Sequence, residues 1–228
     1  MLNYFKTMET FFVFKVSLLY LPTQMKEKII IKSSELFLNF GFKSITMDDI
    51  ASKMGISKKT IYRYFKNKEE LVSNSVTYLH EKISNSICEI TKKGFNAIEE
   101  NFVIKNMFTD IFEKSNTSPM YQLQKYYPKI YKHLIENEFI IFEECVSANI
   151  IKGIKEGLYR KNINEEVILK FYFLLIFGLH DENIFTYKNY SLNQLEIIAL
   201  EYHTRAIATE NGIKVLEKEM NKLLKINS

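Results

Sequence analysis

Residues 46–71, TMDDIASKMGISKKTIYRYFKNKEEL, decide the fold. Thr46 and Asp49 have the spacing of a capping box, in which the hydroxyl accepts an amide of the first turn and the carboxylate reaches back to the cap. The helix that follows turns Ile50, Ala51 and Met54 inward and stops after about two turns at Gly55, a residue that readily leaves the right-handed conformation. Ser57 caps a third helix, SKKTIYRYF, and Asn67-Lys68-Glu69-Glu70 caps a fourth. Two short helices joined through glycine, the second one basic and braced by a helix on either side, make a helix-turn-helix.

Working outward, Met25 to Phe40 carries Ile30, Ser34 and Phe37 beside Ile29, Ser33, Leu36 and Phe40 at the three- and four-residue steps of an amphipathic helix, which Gly41 ends. Within the third helix, successive side chains step about 100°. Ile61 therefore falls with Ser57, Tyr64 and Phe65 on the packed side, while Lys59, Tyr62 and Arg63 point outward with Lys58 and Thr60 flanking them. Charge follows the same division. Residues 25–71 hold ten Lys and Arg against six Asp and Glu, whereas residues 72–228 hold nineteen against twenty. Lys53, Lys58, Lys59, Arg63, Lys66 and Lys68 occur with no acid among them, a density that attracts a polyanion. A solvated helix face is the other reading of such a run.

A short basic helix fits the DNA major groove. Lys58 and Lys59 suit guanine O6 and N7 or nearby phosphate, Thr60 and Tyr62 a phosphate or a thymine methyl, and Arg63 either kind of partner. Thr46, Ser57 and Lys68 sit at helix N-termini, where free amides favour phosphate.

From Met25 to about Leu71 the sequence resembles the DNA-binding domain of the TetR (tetracycline repressor-like) family of bacterial transcription regulators. The resemblance lies in Phe37, Gly41, Thr46, Ile50, Ala51, Gly55, Ile56, Ser57, Thr60, Ile61, Tyr62, Tyr64, Phe65, Lys68 and Leu71. It implies that Thr46, Lys58, Lys59, Thr60, Tyr62, Tyr64 and Lys68 stand where family members meet DNA, and that Phe37, Ile50, Ile61 and Phe65 stand in the core. Lys59 and Arg63 occupy variable positions, so the bases they read do not carry over.

The chain of 228 residues is 46% hydrophobic with only 7 Gly and 3 Pro, a composition that favours an all-α protein over a turn-rich sandwich or barrel. Three segments are expected: residues 1–24 as a poorly ordered extension upstream of the helical pattern, 25–71 as the three-helix helix-turn-helix DNA-binding domain, and 72–228 as a larger helical domain. The fourth helix continues without a breaker towards Lys93. Further helices are expected at Asn96–Ser115, Pro119–Lys125, Pro128–Glu156, Glu165–Asp181, Leu192–Ala208 and Gly212–Lys225. The family resemblance implies that this second domain binds a small-molecule effector and forms a homodimer through Glu165–Asp181 and Leu192–Ala208. The run from Val167 to Phe177 is apolar over more of its circumference than one intrachain face needs, which supports the dimer, although burial within one subunit explains the same pattern.

Aromatic crowding points to Tyr127, Tyr131, Phe142, Phe173 and Phe177 as lining for an effector pocket, with His180, of the cluster His180-Asp181-Glu182, at its polar end. Aromatics at helical spacing also serve as plain core, and the His180 cluster as a helix-end cap. Cys88 and Cys145 lack metal-ligand spacing and suggest neither a zinc site nor a disulfide framework, so the protein is expected in the cytoplasm with no metal and no cofactor. GxSxG, HExxH, P-loop and GxGxxG motifs do not occur, which argues against an enzyme. The apolar runs Phe11–Leu21 and Phe171–Leu179 are too short to span a bilayer, so no stable membrane insertion is expected. The expected function is a homodimeric transcription regulator, a repressor released from a palindromic operator by its effector. The alternative is a helical protein-interaction or membrane-tethered regulator without effector binding.

Overall fold

The computed structural model describes residues 24–112, 119–181, 184–185 and 190–226. The expectations for residues 1–23, for Glu182 and for a helix end at Ser115 lie outside the described residues. The described secondary structure is helical throughout, apart from one isolated bridge between Tyr159 and Ala208. Two compact units follow one another, the first ending at Leu79 and the second beginning at His80.

The first unit starts with α1, residues 24–40, which buries Ile29, Ser33, Ser34, Leu36 and Phe37 along one side. Gly41 ends it at φ 94°, with its amide donating to the Phe37 carbonyl at 2.9 Å. The chain then turns back so that Phe42 stacks on Phe37 with centroids 5.4 Å apart. The next helix, α2 (Met47–Met54), begins at the capping box that its sequence encodes: the Asp49 amide donates to Thr46 Oγ1 at 3.2 Å and the Thr46 amide to Asp49 Oδ2 at 2.8 Å. It stops at Gly55, whose φ of 65° is left-handed, and the Ile56 amide reaches back to Ala51 at 3.0 Å in the six-to-one bond of a Schellman motif. Next comes α3 (Lys58–Tyr62), and then α4 (Lys68–Thr91), where the Glu70 amide donates to Asn67 Oδ1 at 2.8 Å. Ile50, Ile61, Phe65, Leu71 and Val72 are fully buried and close this small core.

In the second unit α5 (Ala97–Phe112), α6 (Pro119–Tyr126), α7 (Pro128–Lys155), α8 (Glu165–Gly178), α9 (Leu192–Ile207) and α10 (Glu210–Ile226) follow one another, with α5 packed against α7, α9 and α10. Its main core gathers Ala97, Ile98, Phe102, Leu158, Tyr159, Leu200, Ile207 and Leu216. The turn after α7 is locked onto the α9–α10 corner: the Arg160 amide donates to the Ile207 carbonyl at 2.8 Å and the Thr209 amide to the Leu158 carbonyl at 2.9 Å. The Tyr159 hydroxyl donates to Asn149 Oδ1 at 3.2 Å, and the Asn149 amide group donates to Glu100 Oε1 at 2.8 Å. Glu100 in turn pairs with Lys152 at 2.7 Å. Buried polar groups are costly unless partnered, and this chain of bonds partners each of them.

Two glycines make that corner possible. A Cβ on Gly153 would lie 2.1 Å from the buried Tyr159 ring, and one on Gly212 would lie 2.1 Å from the Leu158 carbonyl oxygen. Neither obstacle can swing aside, because the ring is 1% exposed and the carbonyl is backbone. Gly153→Ala is therefore expected to destabilise the protein by about 1–3 kcal/mol, the usual range for overpacking. A thermal melt that leaves the transition unchanged would refute this account of the corner.

Candidate functional site

The third helix is held by its ends and by one side chain. Ser57 Oγ accepts the Thr60 amide at 3.1 Å and shares a 2.8 Å hydrogen bond with Thr60 Oγ1. Ile61 is 0% exposed, whereas Lys58, Lys59, Tyr62 and Arg63 are exposed and Thr60 is half-buried. The helix is shorter than the stretch SKKTIYRYF. At Arg63 the amide is shared between the Lys59 and Thr60 carbonyls, and the Tyr64 amide bonds Ile61 three residues back at 2.9 Å. This tightening of the last turn drops Phe65 into the core at 1% exposure, so the regular helical step ends before residues 63–65. Tyr64 is half-buried.

Several candidate side chains already hold protein partners. Thr46 Oγ1 donates to Asp49 Oδ2 at 2.6 Å, and the bonds from Thr46 hold the Asp49 carboxyl below the usual carboxylate range. Lys58 Nζ lies 2.7 Å from Asp48 Oδ2, an ion pair between α3 and α2 that raises the lysine's pKa. Lys68 Nζ donates to the Lys43 carbonyl at 3.0 Å and sits 5.9 Å from the Phe37 ring centre. Burial lowers its pKa, with the Asp49 carboxylate opposing the shift. Thus Asp48 and the Lys43 carbonyl belong to this surface although sequence reasoning did not single them out. Asp48 reads only as an acid in the first turn of a helix, and the Lys43 contact spans 25 residues.

In the second unit three of the expected aromatic residues, Phe142, Phe173 and Phe177, meet one another. Phe142 lies against Phe173 at 5.3 Å and Phe177 at 6.3 Å, both edge-on, while Phe173 and Phe177 stack at 4.2 Å. Phe139 adds an edge contact to Phe173 at 4.9 Å. Tyr127 precedes α7, with its amide donating to the Leu123 carbonyl at 2.8 Å. Burial, reinforced by the Asp181 carboxylate, raises the pKa of Tyr131, and burial pushes His180 down to about 4. Two neighbouring features escaped the sequence. Tyr172, which touches Phe142 at 5.5 Å, stacks on His203 at 3.8 Å. Lys105, buried on α5, donates to Thr109 Oγ1 at 2.6 Å and to Asn193 Oδ1, and lies 3.6 Å from Glu196 on α9.

The outer sides of α8 and α9 are apolar as well. Val167, Phe171 and Leu174 form one stripe along α8 and are 39%, 63% and 67% exposed; on α9, Ile198 and Tyr202 are 51% and 70% exposed. Among the described residues no three metal-binding side chains gather, and no helix is long and apolar enough to cross a membrane.

Residues 29–74, the stretch holding most of α1, all of α2 and α3 and the start of α4, match the family model of bacterial regulatory proteins, tetR family. That stretch is therefore a DNA-binding domain of the tetR type. Curated relatives and solved structures that resemble the chain are named transcriptional regulators. The chain is 27% identical over 148 residues to IcaR of Staphylococcus aureus, the negative transcriptional regulator of the biofilm operon icaADBC, covering 65% of this chain and 69% of that one. A solved TetR-family transcriptional regulator from Agrobacterium tumefaciens superposes with a TM-score of 0.66 at 14% identity, over 82% of this chain and all of the other. A transcriptional regulator from Saccharomonospora viridis, solved in complex with choline, gives 0.65 at 15% identity over the same shares. These structural likenesses confirm an all-α fold with an N-terminal helix-turn-helix and a larger helical domain.

His180 and His203 are both held to a pKa of about 4 by burial, below the unperturbed value of about 6.5. Between those values the unfolded chain binds more protons than the folded one, so stability falls as pH falls. The melting temperature is expected to be steady above about pH 6.5 and to drop from there towards pH 4, with a shallower drop in His203→Gln. Identical pH profiles for the two proteins would exclude His203 as a source of the effect.

Proposed function

We propose that the chain acts as a homodimeric repressor that binds a palindromic DNA operator through α3 and leaves it when a small molecule enters the second unit. The observation that carries the DNA contact is the division of α3: Ile61 and Phe65 are sunk in the core while Lys59, Tyr62 and Arg63 face outward. A helix so placed offers cations and an aromatic ring to the major groove, with Lys58 and Thr60 beside them and Thr46, Ser57, Tyr64 and Lys68 toward the phosphates. The first unit is then the DNA-binding domain and the second the effector-binding and dimerisation domain, working in the cytoplasm. The negative regulator IcaR among its relatives favours repression over activation.

One recognition helix covers only a few base pairs, and two copies about one helical turn of DNA apart multiply affinity and length of site together. The bare stripes on α8 and α9 supply the surface for that second copy, since side chains such as Phe171, Leu174 and Tyr202 lose apolar area to water unless another surface covers them. Tyr127, Tyr131, Phe142, Phe173, Phe177 and His180 surround the effector in this reading, and the choline held by the Saccharomonospora viridis relative favours a small organic ligand. Effector and operator compete by favouring different conformations, and linkage requires each to weaken the other equally.

Lys59→Ala combined with Arg63→Ala is expected to weaken DNA binding and to flatten its dependence on salt by about two in log–log slope, if both residues neutralise phosphates, while the melting temperature stays near that of the wild type. Unchanged slopes would remove these residues from the interface. Leu174→Asp places a charge in the proposed dimer contact, and sedimentation should then report a monomer with much weaker operator binding. A dimer of undiminished stability would refute the α8–α9 assignment.

A further inference from the structure

Asp48 is an acid facing a basic surface. No acid lies between Lys53 and Lys68, yet Asp48, in the first turn of α2, brings Oδ2 to 2.7 Å from Lys58 Nζ on α3. Its neighbour Asp49 is engaged quite differently, turned back onto the amide and hydroxyl of Thr46 as the helix cap. Both members of the Asp48–Lys58 pair are open to solvent, with 67% and 47% of their side chains exposed. Exposed pairs of this kind add little to folding, and α3 is already fixed by the Ser57 cap and the burial of Ile61 and Phe65. The consequence of the pair lies in what it does to the charge of Lys58.

Binding to arbitrary DNA is driven by lysines and arginines that neutralise phosphates and release counterions. A lysine already neutralised by a carboxylate contributes less of this, and the carboxylate itself repels the phosphates. Recognition of base edges differs, because guanine O6 and N7 are neutral acceptors. An ammonium has three N–H donors, of which Asp48 occupies one. The remaining two can meet a base edge without breaking the pair, from a position that the carboxylate has fixed. We propose that Asp48 is a specificity-determining residue: by holding Lys58 it withholds a mobile positive charge from arbitrary DNA while leaving oriented donors for the matching site. This inference rests on the DNA-binding reading of α3.

The test uses the full chain as wild type, Asp48→Asn, Lys58→Met and the double variant. Each is titrated across a range of salt with a duplex selected by the wild type from a random pool, and with a permuted duplex of the same length and composition. In Asp48→Asn the permuted duplex should bind severalfold tighter and with a salt slope steeper by up to about 0.9. The selected duplex should change less, so the ratio of the two affinities falls severalfold. With Lys58→Met as background, the same substitution should leave that ratio unchanged. Equal tightening on both duplexes would overturn the proposal by reducing Asp48 to a general repeller of phosphate. An equal fall of the ratio with Lys58 absent would overturn it by showing that Asp48 acts without that lysine, and a large drop in the melting temperature of Asp48→Asn would make the pair a structural clamp instead. Failure of the wild type to select any duplex is a separate result, which would sink the DNA-binding reading itself and this inference with it.

Discussion

A five-residue helix has almost no stability of its own, since nucleating a first turn fixes several dihedrals in exchange for a single hydrogen bond. Everything asked of α3 therefore depends on Ile61, which at 0% exposure anchors the helix to the core, seconded by Phe65 just beyond it and Ser57 at its start. The neighbours follow from that anchor. The left-handed turn at Gly55 sets where α3 begins, Ile50 on α2 helps to fill the same core, and α1 and α4 complete it with Phe37, Leu71 and Val72. A small core of this kind has little redundancy, and Phe37, Ile50, Ile61, Phe65, Leu71 and Val72 are each close to fully enclosed.

Much of this was legible in the letters because the signals are local. Thr46 with Asp49, Ser57, and Asn67 with Glu70 each describe a cap whose donor and acceptor lie within three residues, and each cap forms as written. The inward and outward faces of α3 followed from the helical step alone. What escaped was non-local or cooperative. The end of α3 at Tyr62 goes together with the turn that carries Phe65 into the core, and no residue near Arg63 announces it. The pairing of Asp48 with Lys58 and the contact of Lys68 with the Lys43 carbonyl cross a turn or a whole helix-turn-helix.

The second unit shows the same contrast on a larger scale. The expected ranges Pro128–Glu156, Glu165–Asp181 and Leu192–Ala208 lie within a few residues of the helices that form, but the sequence did not say which helices would touch. Nothing in the sequence around Tyr159 sets it apart, yet it is 1% exposed, is fitted against Gly153 and joins a line of polar bonds through Asn149 to Glu100 and Lys152. The cluster of Phe142, Phe173 and Phe177 was foreseeable from crowding, whereas the stacking of Tyr172 on His203 depends on how α8 and α9 come together.

Because Ile61 and Phe65 carry the anchoring while positions 59, 62 and 63 project away from it, the two tasks of this segment are chemically separable. Outward side chains can be exchanged one at a time without disturbing the interior. On the proposed DNA-binding reading, a lineage built on this scaffold can thus drift to new addresses on a chromosome by single substitutions, with no compensating change beneath them.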